Sequence, residues 1–594
     1  MKNKKILNIA SLLGIFSVVS LSMTSCNGLK PSNSQMNNEK STNRDELNNG
    51  LNPITPDNSG VSVDEMDNSV VNKLKTELSQ LITNKNSIVS MYADYAKIKK
   101  ELENAYTNAE TINNNNGSNK EQLENAKDNL ESAINKARTD KNEFDDKNQS
   151  LVSAYNNLKN IVKSKNTNLD QFESAKYKGI KDKLNILYEN AETILNNTLQ
   201  PERDLQIDTI TSKKIEIDTA ISNISTWKTN ADMFSNYLMY KITQEKFQGT
   251  FTKTGTQSAN YSFVGFSNDE QHDFKFAKRV VKENVASASL SNSDQLTDVS
   301  WIYDLTGTDA KYEFNFEYFG PSNAFLYFPY KLAKSSDINN LSLKYKLNTS
   351  QTQEITLENP EVKSIKIAKV RLNNLIFGQN TISFNTDNNK VTPMIGNMYI
   401  TSSEDSENNI YNNIFGNEIS NTNQNSITVN FLKGYGLANK HDTIIRRYNA
   451  TLDDRGSAQQ HFVLGFLGNN GTTNPESNES YYSFYVNAPQ KGNYDISGIF
   501  SSGETNNNNI RGIILWRDSY NNDKKARFDR LISFNSWDKL KTFTKTDKAS
   551  GFSGSLELEK GLNKIIVSGN MSAKPAPNLG NLTFTLTTID SRSM

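Results

Sequence analysis

The first long pattern along the chain is that of amphipathic helices. Apolar residues recur at steps of three and four from Leu74 and Leu78 onward, with Lys, Glu and Asn between them. The pattern also repeats, because residues 102–112 match residues 184–194 at seven of eleven positions, a shift of 82 residues. We therefore predict a helical region over residues 70–248, built from two copies of a small helical bundle whose repeated Tyr and Leu side chains form the core.

Beyond Gly249 the apolar period falls to two. Residues 312–318, 341–347 and 582–586 alternate strictly between apolar and polar side chains. Such alternation is typical of antiparallel strands with one buried face. Many short strands separated by Asn, Gly and Ser turns favour β-sandwiches.

The β region repeats as well. The turn Gly378-Gln-Asn380 returns as Gly561-Leu-Asn563, and residues 393–400 return as residues 577–584. The repeated order of strand, turn and closing strand indicates two related β-domains.

This repeat sets the predicted domain boundaries. Upstream of the turn, the alternating strand 312–318 aligns with residues 494–500. We place one β-sandwich at 251–402, a second at 461–590, and a connecting segment over 403–460. The predicted fold class is α+β multidomain: a helical bundle stalk followed by two related antiparallel β-sandwich domains.

The amino terminus has the features of a secretory signal. Residues 1–25 combine a basic start, a short apolar run and a small polar stretch. Cys26, the single cysteine of the chain, ends this stretch in a pattern that resembles a bacterial lipobox. The resemblance implies cleavage before Cys26, lipid attachment to its thiol and a position on the extracellular face of the cell membrane. Residues 26–69 are rich in Asn, Ser, Pro and acids, which predicts a flexible tether.

Charge and composition narrow the functional classes. The 66 Lys and Arg residues balance 66 Asp and Glu residues, so the chain has no basic excess for nucleic acid. His272, His441 and His461 are scattered and lack the spacing of a metal site. We expect no cofactor, and the sequence decides neither for nor against a structural calcium ion.

Enzyme motifs are also missing from the sequence. It contains neither a G-x-S-x-G elbow nor a Walker loop. The sequence does not decide whether a glycosidase pair of carboxylates exists, because the distance between the two groups defines such a pair and their spacing along the chain does not. We expect a protein without catalytic residues.

Five strings of residues carry a family resemblance. They are Val299–Thr308, Phe319–Ser322, Leu326–Leu332, Pro393–Ile400 and Val429–Gly434. Together with the signal, they resemble the phase-variable haemagglutinin lipoproteins of mycoplasmas, over about residues 250–590. The resemblance implies adhesion to host cells, agglutination of red cells through sialylated glycans, and antigenic variation.

A weaker resemblance is to non-catalytic carbohydrate-binding modules of the jelly-roll type. In those modules a Gly-x-Asn turn also lies between two late strands. Sugars bind to such sandwiches through flat aromatic rings and through amide or hydroxyl hydrogen bonds. The two β-domains are therefore expected to be jelly-rolls.

The second β-domain holds the best candidates for a glycan platform. Trp516, Tyr520 and Trp537 lie in its variable middle, and Arg517 follows the first Trp. The alternative for Trp516 is a core position, because Ile513–Trp516 has the composition of a strand.

Other candidates are more dispersed. Tyr330 occupies the comparable region of the first β-domain. Sialic acid would need a cation for its carboxylate, which Arg446 and Arg447, or Arg511 or Arg517, could supply. Each arginine alone is more often part of a solvent-facing ion pair, and the sequence does not distinguish among the four.

These observations favour a surface lipoprotein adhesin that binds sialylated glycoconjugates on host cells. The alternative is a module for a host protein, or a variable immune shield, with changing loops and no sugar site. A glycan-processing enzyme is the least favoured hypothesis.

Overall fold

The computed structural model describes residues 63–201, 204–259, 261–283, 293–469, 479–503, 511–534, 536–569 and 575–587. The predicted signal, Cys26 and the tether as far as residue 62 lie outside these residues. The described residues from Val71 onward form one compact unit. No described helix is both long and apolar enough to cross a membrane.

Most of the helices precede the sheets. They are α1 (Val63–Thr83), α2 (Lys85–Ser90), α3 (Ala96–Asn114), α4 (Lys120–Lys147), α5 (Gln149–Val162), α6 (Lys165–Leu169), α7 (Lys178–Asn196) and α8 (Ile207–Asn236), followed within the sheets by α9 (Ser293–Leu296) and α10 (Glu407–Ile414). The start of α4 shows how sequence sets a boundary, because Asn119 and Gln122 form a reciprocal capping box there.

The helical repeat of the sequence has a direct structural counterpart. Helices α3 and α7 each contain 19 residues and start 82 residues apart, the shift of the sequence repeat. Tyr106 and Tyr188 occupy the same position in the two copies and are both fully buried, as are Leu102 and Leu184. The repeated side chains are therefore core residues of two stacked helical units.

The first sandwich consists of two antiparallel sheets. Sheet 1 contains β1 (Leu238–Tyr240), β3 (Phe276–Lys278), β5 (Ser300–Ile302), β7 (Asn323–Lys331), β10 (Lys366–Asn373), β12 (Met394–Ile395) and β13 (Met398–Thr401). Sheet 2 contains β2 (Phe247–Phe251), β6 (Gly307–Tyr318), β8 (Lys344–Leu347), β9 (Gln353–Glu354) and β11 (Gly378–Asn385), in the order β2-β6-β11-β8-β9. Their facing side chains form one apolar core.

The second sandwich repeats this plan with a larger sheet. Sheet 3 contains β4 (Val281–Lys282), β14 (Asn417–Ile419), β15 (Ser426–Val429), β17 (Ile444–Leu452), β18 (Arg455–Gly465), β22 (Gly492–Ser501), β25 (Lys539–Phe543), β26 (Ser555–Leu558) and β28 (Asn578–Leu586). Sheet 4 contains β16 (Leu437–Ala438), β21 (Tyr482–Ala488), β23 (Ile513–Arg517), β24 (Lys525–Phe528) and β27 (Gly561–Gly569), in the order β16-β21-β27-β23-β24. A short ribbon joins β19 (Gly468–Asn469) to β20 (Glu479–Ser480). The predicted fold class, a helical region followed by antiparallel β-sandwiches, is confirmed.

In both repeated Gly-x-Asn turns, the Asn side chain is hydrogen-bonded to the backbone of the turn. Asn380 donates to the carbonyls of Ile376 and Gly378 and accepts from the Ile376 amide. Asn563 makes the equivalent bonds around Glu559 and Gly561. Both glycines have positive φ angles, 108° and 93°, which a side chain would strain.

The upstream part of the predicted β alignment is wrong. β6, which contains residues 312–318, pairs with β11. The strand that pairs with β27 in the same way is β21, whereas residues 494–500 belong to β22 in the opposite sheet. A period of two is identical in every half-buried strand, so the pattern alone does not distinguish one strand from the next.

The sandwich boundaries also differ from the predicted ones. Between β3 and β4 the chain leaves sheet 1 and enters sheet 3, so residues of the predicted first domain complete the second. Phe263, Phe266 and Val281 belong to the core of the second sandwich. The predicted connecting segment 403–460 contains α10 and β14 to β17, which pack as integral parts of the second half.

Arg279 lies at this crossing point and is buried. Its Nη1 donates to the carbonyl oxygens of Phe431, Leu432 and Gly434 at 2.8–3.0 Å. Its Nη2 donates to the Tyr482 hydroxyl at 3.3 Å. The guanidinium therefore links the crossing strand to the loop after β15, with no carboxylate partner in the part of the chain that the structure describes.

The helical region docks onto the first sandwich through α8. Trp227 contacts Phe319 and Phe377 with ring centroids 5.7 and 4.9 Å away. Asn230 donates to the Glu317 carbonyl and accepts from the Phe319 amide. These contacts place α8 directly on the first sandwich.

Replacing Arg279 with Met should destabilise both sandwiches together. The substitution removes the Arg279 donor from three buried carbonyl oxygens, of which that of Leu432 keeps the Thr297 hydroxyl, so we expect a loss of about 2–5 kcal/mol in the free energy of unfolding. Urea unfolding followed by Trp fluorescence measures it. The exposed Arg371 on β10 is the control. A loss for Arg279→Met no larger than that for Arg371→Met would contradict the role of Arg279.

Substituting Gly179 of α7 with Ala should also be destabilising. Alanine is the better helix former by about 1 kcal/mol, yet a Cβ at Gly179 would lie 1.9 Å from the carbonyl oxygen of Gly320. We expect a net loss of about 1–3 kcal/mol from this overlap. Gly117, in the turn between α3 and α4, where a Cβ approaches only the Asn115 side chain at 3.4 Å, is the control without backbone overlap in thermal unfolding. Stabilisation by Gly179→Ala would show that the helices do not dock on the sandwich in this way.

Candidate aromatic platform on the second sandwich

Two aromatic side chains are exposed on one turn of the second sandwich. The turn joins β24 to β25 and contains Phe534 and Trp537, which are 41% and 37% exposed. Side chains of this size are normally buried, so two of them on one short turn mark a candidate binding surface.

Buried serine hydroxyls hold the base of this turn. The Ser533 hydroxyl donates to the Ser502 carbonyl at 3.0 Å and accepts from the Ser502 amide at 2.6 Å. The Ser501 hydroxyl donates to the Trp537 carbonyl at 3.1 Å. These bonds tie Ser533 and the Trp537 backbone to the end of β22, so the two aromatic side chains lie next to anchored positions.

The backbone of Phe534 is itself strained. Its φ angle is 50°, in the left-handed region that bulky side chains rarely adopt. Strain of this kind persists where the surroundings over-determine the conformation, and it is enriched at binding sites.

Cationic side chains lie against both rings. The Arg511 guanidinium is 4.9 Å from the centre of the Trp537 ring. The Lys539 and Lys541 ammonium groups are 5.5 and 5.7 Å from the Phe534 ring. We call these five residues the aromatic platform. Arg511 also donates to the Ala576 carbonyl at 3.3 Å, and Lys539 pairs with Asp454 at 2.7 Å.

The platform combines two recognition chemistries. An exposed aromatic ring offers a flat apolar face to the C–H side of a ligand. A neighbouring guanidinium or ammonium can hold a carboxylate. A ligand that is flat, partly apolar and negatively charged at one position matches this arrangement.

The structure separates the residues that the sequence predicted to form one glycan platform. Trp516 lies near the far end of β23 from Arg511, about 17 Å away at about 3.3 Å per strand residue, and Tyr520 follows that end of the strand. Trp516 is only 3% exposed and its indole nitrogen has no hydrogen-bond partner among the described residues. Its interpretation as a ligand contact is wrong, because it packs as a strand residue on sheet 4.

Tyr520 caps the buried end of Trp516. Its ring stacks on Tyr481 at 5.1 Å and tilts against Trp516 at 4.8 Å, and it is partly exposed. Arg517 is buried, donates to the Glu557 carbonyl and lies 3.3 Å from the Asp518 carboxylate. These contacts give Arg517 a structural role, whereas Tyr520 keeps an exposed ring.

The remaining predicted contacts lie elsewhere. Tyr330 is 2% exposed in the core of the first sandwich, and its hydroxyl donates to the Glu358 carbonyl. Burial raises the pKa of this hydroxyl. The same burial means that Tyr330 is not a surface contact. Arg446 stacks on Tyr448 at 4.5 Å, and Arg447 forms an ion pair with Glu283. Both arginines are on β17, away from the turn that carries Trp537.

Two of the three histidines meet at an aromatic cluster. His272 and His441 both contact Tyr261 and Phe266, although they are far apart in sequence. Burial lowers the pKa of His272 to about 4, so its ring is neutral. Within the described residues, no group of three or more His, Cys, Asp and Glu side chains is placed to hold a metal ion.

Sequence reasoning found Trp537 and named Arg511 among four candidate arginines, but it missed the other three residues of the platform. Phe534, Lys539 and Lys541 had no distinguishing pattern of their own. The available signal was two aromatic residues three positions apart in a stretch of polar residues, Phe534-Asn-Ser-Trp537.

Solved structures with some likeness to the chain include carbohydrate-binding modules. A family 35 module from Clostridium thermocellum is 21% identical, with 21% of this chain and 78% of that chain covered and a TM-score of 0.17. A module of Cellvibrio mixtus lichenase 5A, solved in complex with cellotriose, is 15% identical, with 24% and 87% covered and a TM-score of 0.17. A search among curated proteins gives no match.

Family models match both halves of the chain. The model of the FIVAR domain matches residues 74–138 and 154–230, which contain the two helical units. The model described as Mycoplasma haemagglutinin matches residues 237–361 and 356–587, more than half of the chain and nearly all of both sandwiches. The chain therefore belongs to the Mycoplasma haemagglutinin family, which confirms the haemagglutinin resemblance of residues 250–590.

Proposed function

We propose that this haemagglutinin is a non-catalytic adhesin that binds host glycans through the aromatic platform. The observation that carries the proposal is the joint exposure of Phe534 and Trp537 on a turn held by buried hydroxyl groups. Exposed rings on a fixed backbone lose little conformational entropy when a ligand packs on them.

The charge of the platform favours acidic sugars. Arg511, Lys539 and Lys541 all lie against the two rings. The carboxylate of a terminal sialic acid would gain a charge-assisted bond there while the apolar side of its ring packs on an indole. Sialylated glycans are therefore the proposed ligand class.

The proposed setting is the outer face of the cell membrane. A lipid on Cys26 would anchor the chain, and the residues that follow would extend the sandwiches towards the host cell. Many copies on one surface make a weak single-site affinity sufficient, because linked sites raise the effective concentration. Variation of the loops around the platform among related chains would alter antigenicity without altering the sandwich cores.

A host-protein module or an immune shield is the competing proposal. It shares the anchor and the sandwiches but requires no sugar site. Binding of the chain to glycans on an array, and loss of red-cell binding after sialidase treatment of the cells, distinguish the adhesin from both.

Substituting Trp537 with Ala should reduce glycan binding at least tenfold. Loss of the indole removes the main apolar contact, and truncation of such an anchor typically costs 2 kcal/mol or more, estimated roughly from binding hot spots. The measurement is binding of residues 27–594 to sialyllactose and to red cells. Tyr520→Ala, which removes a ring with the same 37% exposure at the other end of β23, is the matched control. Loss of binding in Tyr520→Ala, together with full binding in Trp537→Ala, would place the sugar site at the Tyr520 end of β23 and contradict the proposal.

Substituting Phe534 with Gly should separate stability from binding. Glycine adopts the φ angle of 50° without strain, so we expect unchanged or slightly raised stability, by up to about 1 kcal/mol. Glycan binding should fall at the same time, because one ring of the platform is lost. Thermal unfolding and sialyllactose titration of the same sample test both parts. Lower stability together with intact binding would contradict the strained, functional role of Phe534.

A further inference from the structure

A polar cleft lies between the two sandwiches, at a distance along the chain from the aromatic platform. One wall comes from the β1 and β13 region of the first sandwich, and the other from residues 412–418 and 433–435. Its volume is about 670 Å³. Small-molecule sites have volumes of this order and form preferentially between domains.

Each wall of the cleft carries one ammonium group paired with one carboxylate. Lys241 lies 2.7 Å from the carboxylate of Asp298, and Lys433 lies 3.3 Å from that of Glu418. An anionic ligand would meet two carboxylates, and a cationic ligand would meet two ammonium groups. The cleft therefore selects against ligands with a large net charge of either sign.

Two amides supply oriented hydrogen-bond donors. The Asn413 side-chain oxygen accepts from the Tyr399 hydroxyl at 2.9 Å, and that of Asn412 accepts from Asn487 at 2.9 Å. Since both oxygens are engaged, the NH2 groups are the parts of these side chains that remain for a ligand. Within the described chain no hydrogen bond uses the Asn412 NH2 group, whereas the Asn413 NH2 group bonds the Tyr237 hydroxyl and keeps its second hydrogen for a ligand.

We infer that this cleft is a second binding site, for a short neutral oligosaccharide. A sugar hydroxyl both donates and accepts, so it suits a surface where amide donors alternate with the carboxylate acceptors of Asp298 and Glu418. Tyr399 and Tyr435 form a buried floor, so the ligand is held by hydrogen bonds at the walls and not by stacking. The inference is independent of the platform, whose cations favour acidic sugars.

The test uses residues 27–594 carrying Trp537→Ala and Phe534→Ala, so that the platform makes no contribution. Saturation-transfer NMR and calorimetry measure binding of lactose, N-acetyllactosamine, cellotriose and chitotriose. We expect at least one of these sugars to bind with a millimolar or lower Kd. Gln295→Trp, which fills the cleft from an exposed wall position, should weaken that binding at least tenfold. Gln351→Trp, at an exposed position of the first sandwich outside the cleft, is the matched control.

The isosteric Glu418→Gln substitution gives a second readout. It removes one acceptor charge, so neutral sugars should bind about fivefold more weakly while sialyllactose gains relative to lactose. The inference is overturned if none of the four neutral sugars binds, or if a sugar binds equally well to the parent, Gln295→Trp and Glu418→Gln chains. Because the platform is already removed, failure of the platform proposal leaves this result unchanged.

Discussion

The buried guanidinium of Arg279 is the contact on which the arrangement of the two sandwiches depends. Removing an arginine from water is costly unless each N–H finds a strong acceptor. Here three carbonyl oxygens of one loop accept from Nη1 and the Tyr482 hydroxyl accepts from Nη2, while Nε has no hydrogen-bond partner among the described residues. The ring of Phe263 lies 5.0 Å from the guanidinium. Thr297 adds a hydrogen bond to the Leu432 carbonyl, and Tyr435 donates to the Ser300 carbonyl. The loop after β15 is thus the hub between the sandwiches.

Segments that carry the haemagglutinin resemblance lie where parts of the fold contact one another. Val429–Gly434 supplies the carbonyls for Arg279, and Phe319–Ser322 meets the helical region at Trp227 and Gly179. Pro393–Ile400 contributes Asn397, whose backbone N–H donates to the Tyr435 hydroxyl. The family resemblance therefore comes from the scaffold. The aromatic platform lies outside these strings, on turns that the scaffold holds in place.

Much of the fold was predictable from periodicity, because burial alone sets it. Steps of three and four residues predicted the helices, and the shift of 82 residues matches the spacing of α3 and α7. The partner of each strand was not predictable, since alternation looks the same in either sheet. That is why the crossing from β3 to β4 and the role of residues 403–460 were missed. Trp537 and Trp516 show the same limit: both are large aromatic residues in one stretch, and only their neighbours in space decide which one is exposed.

The central claim, that sugar binds at Trp537, can be tested directly by NMR of the labelled tryptophan side chains. The chain has four of them, so fluorotryptophan labelling gives four ¹⁹F signals, and a Trp537→Phe chain assigns one. Trp301 and Trp516 are buried and Trp227 lies in the helical seam. Titration with sialyllactose should move the Trp537 signal progressively and leave the other three in place. Saturable binding that leaves the Trp537 signal unmoved would contradict the account.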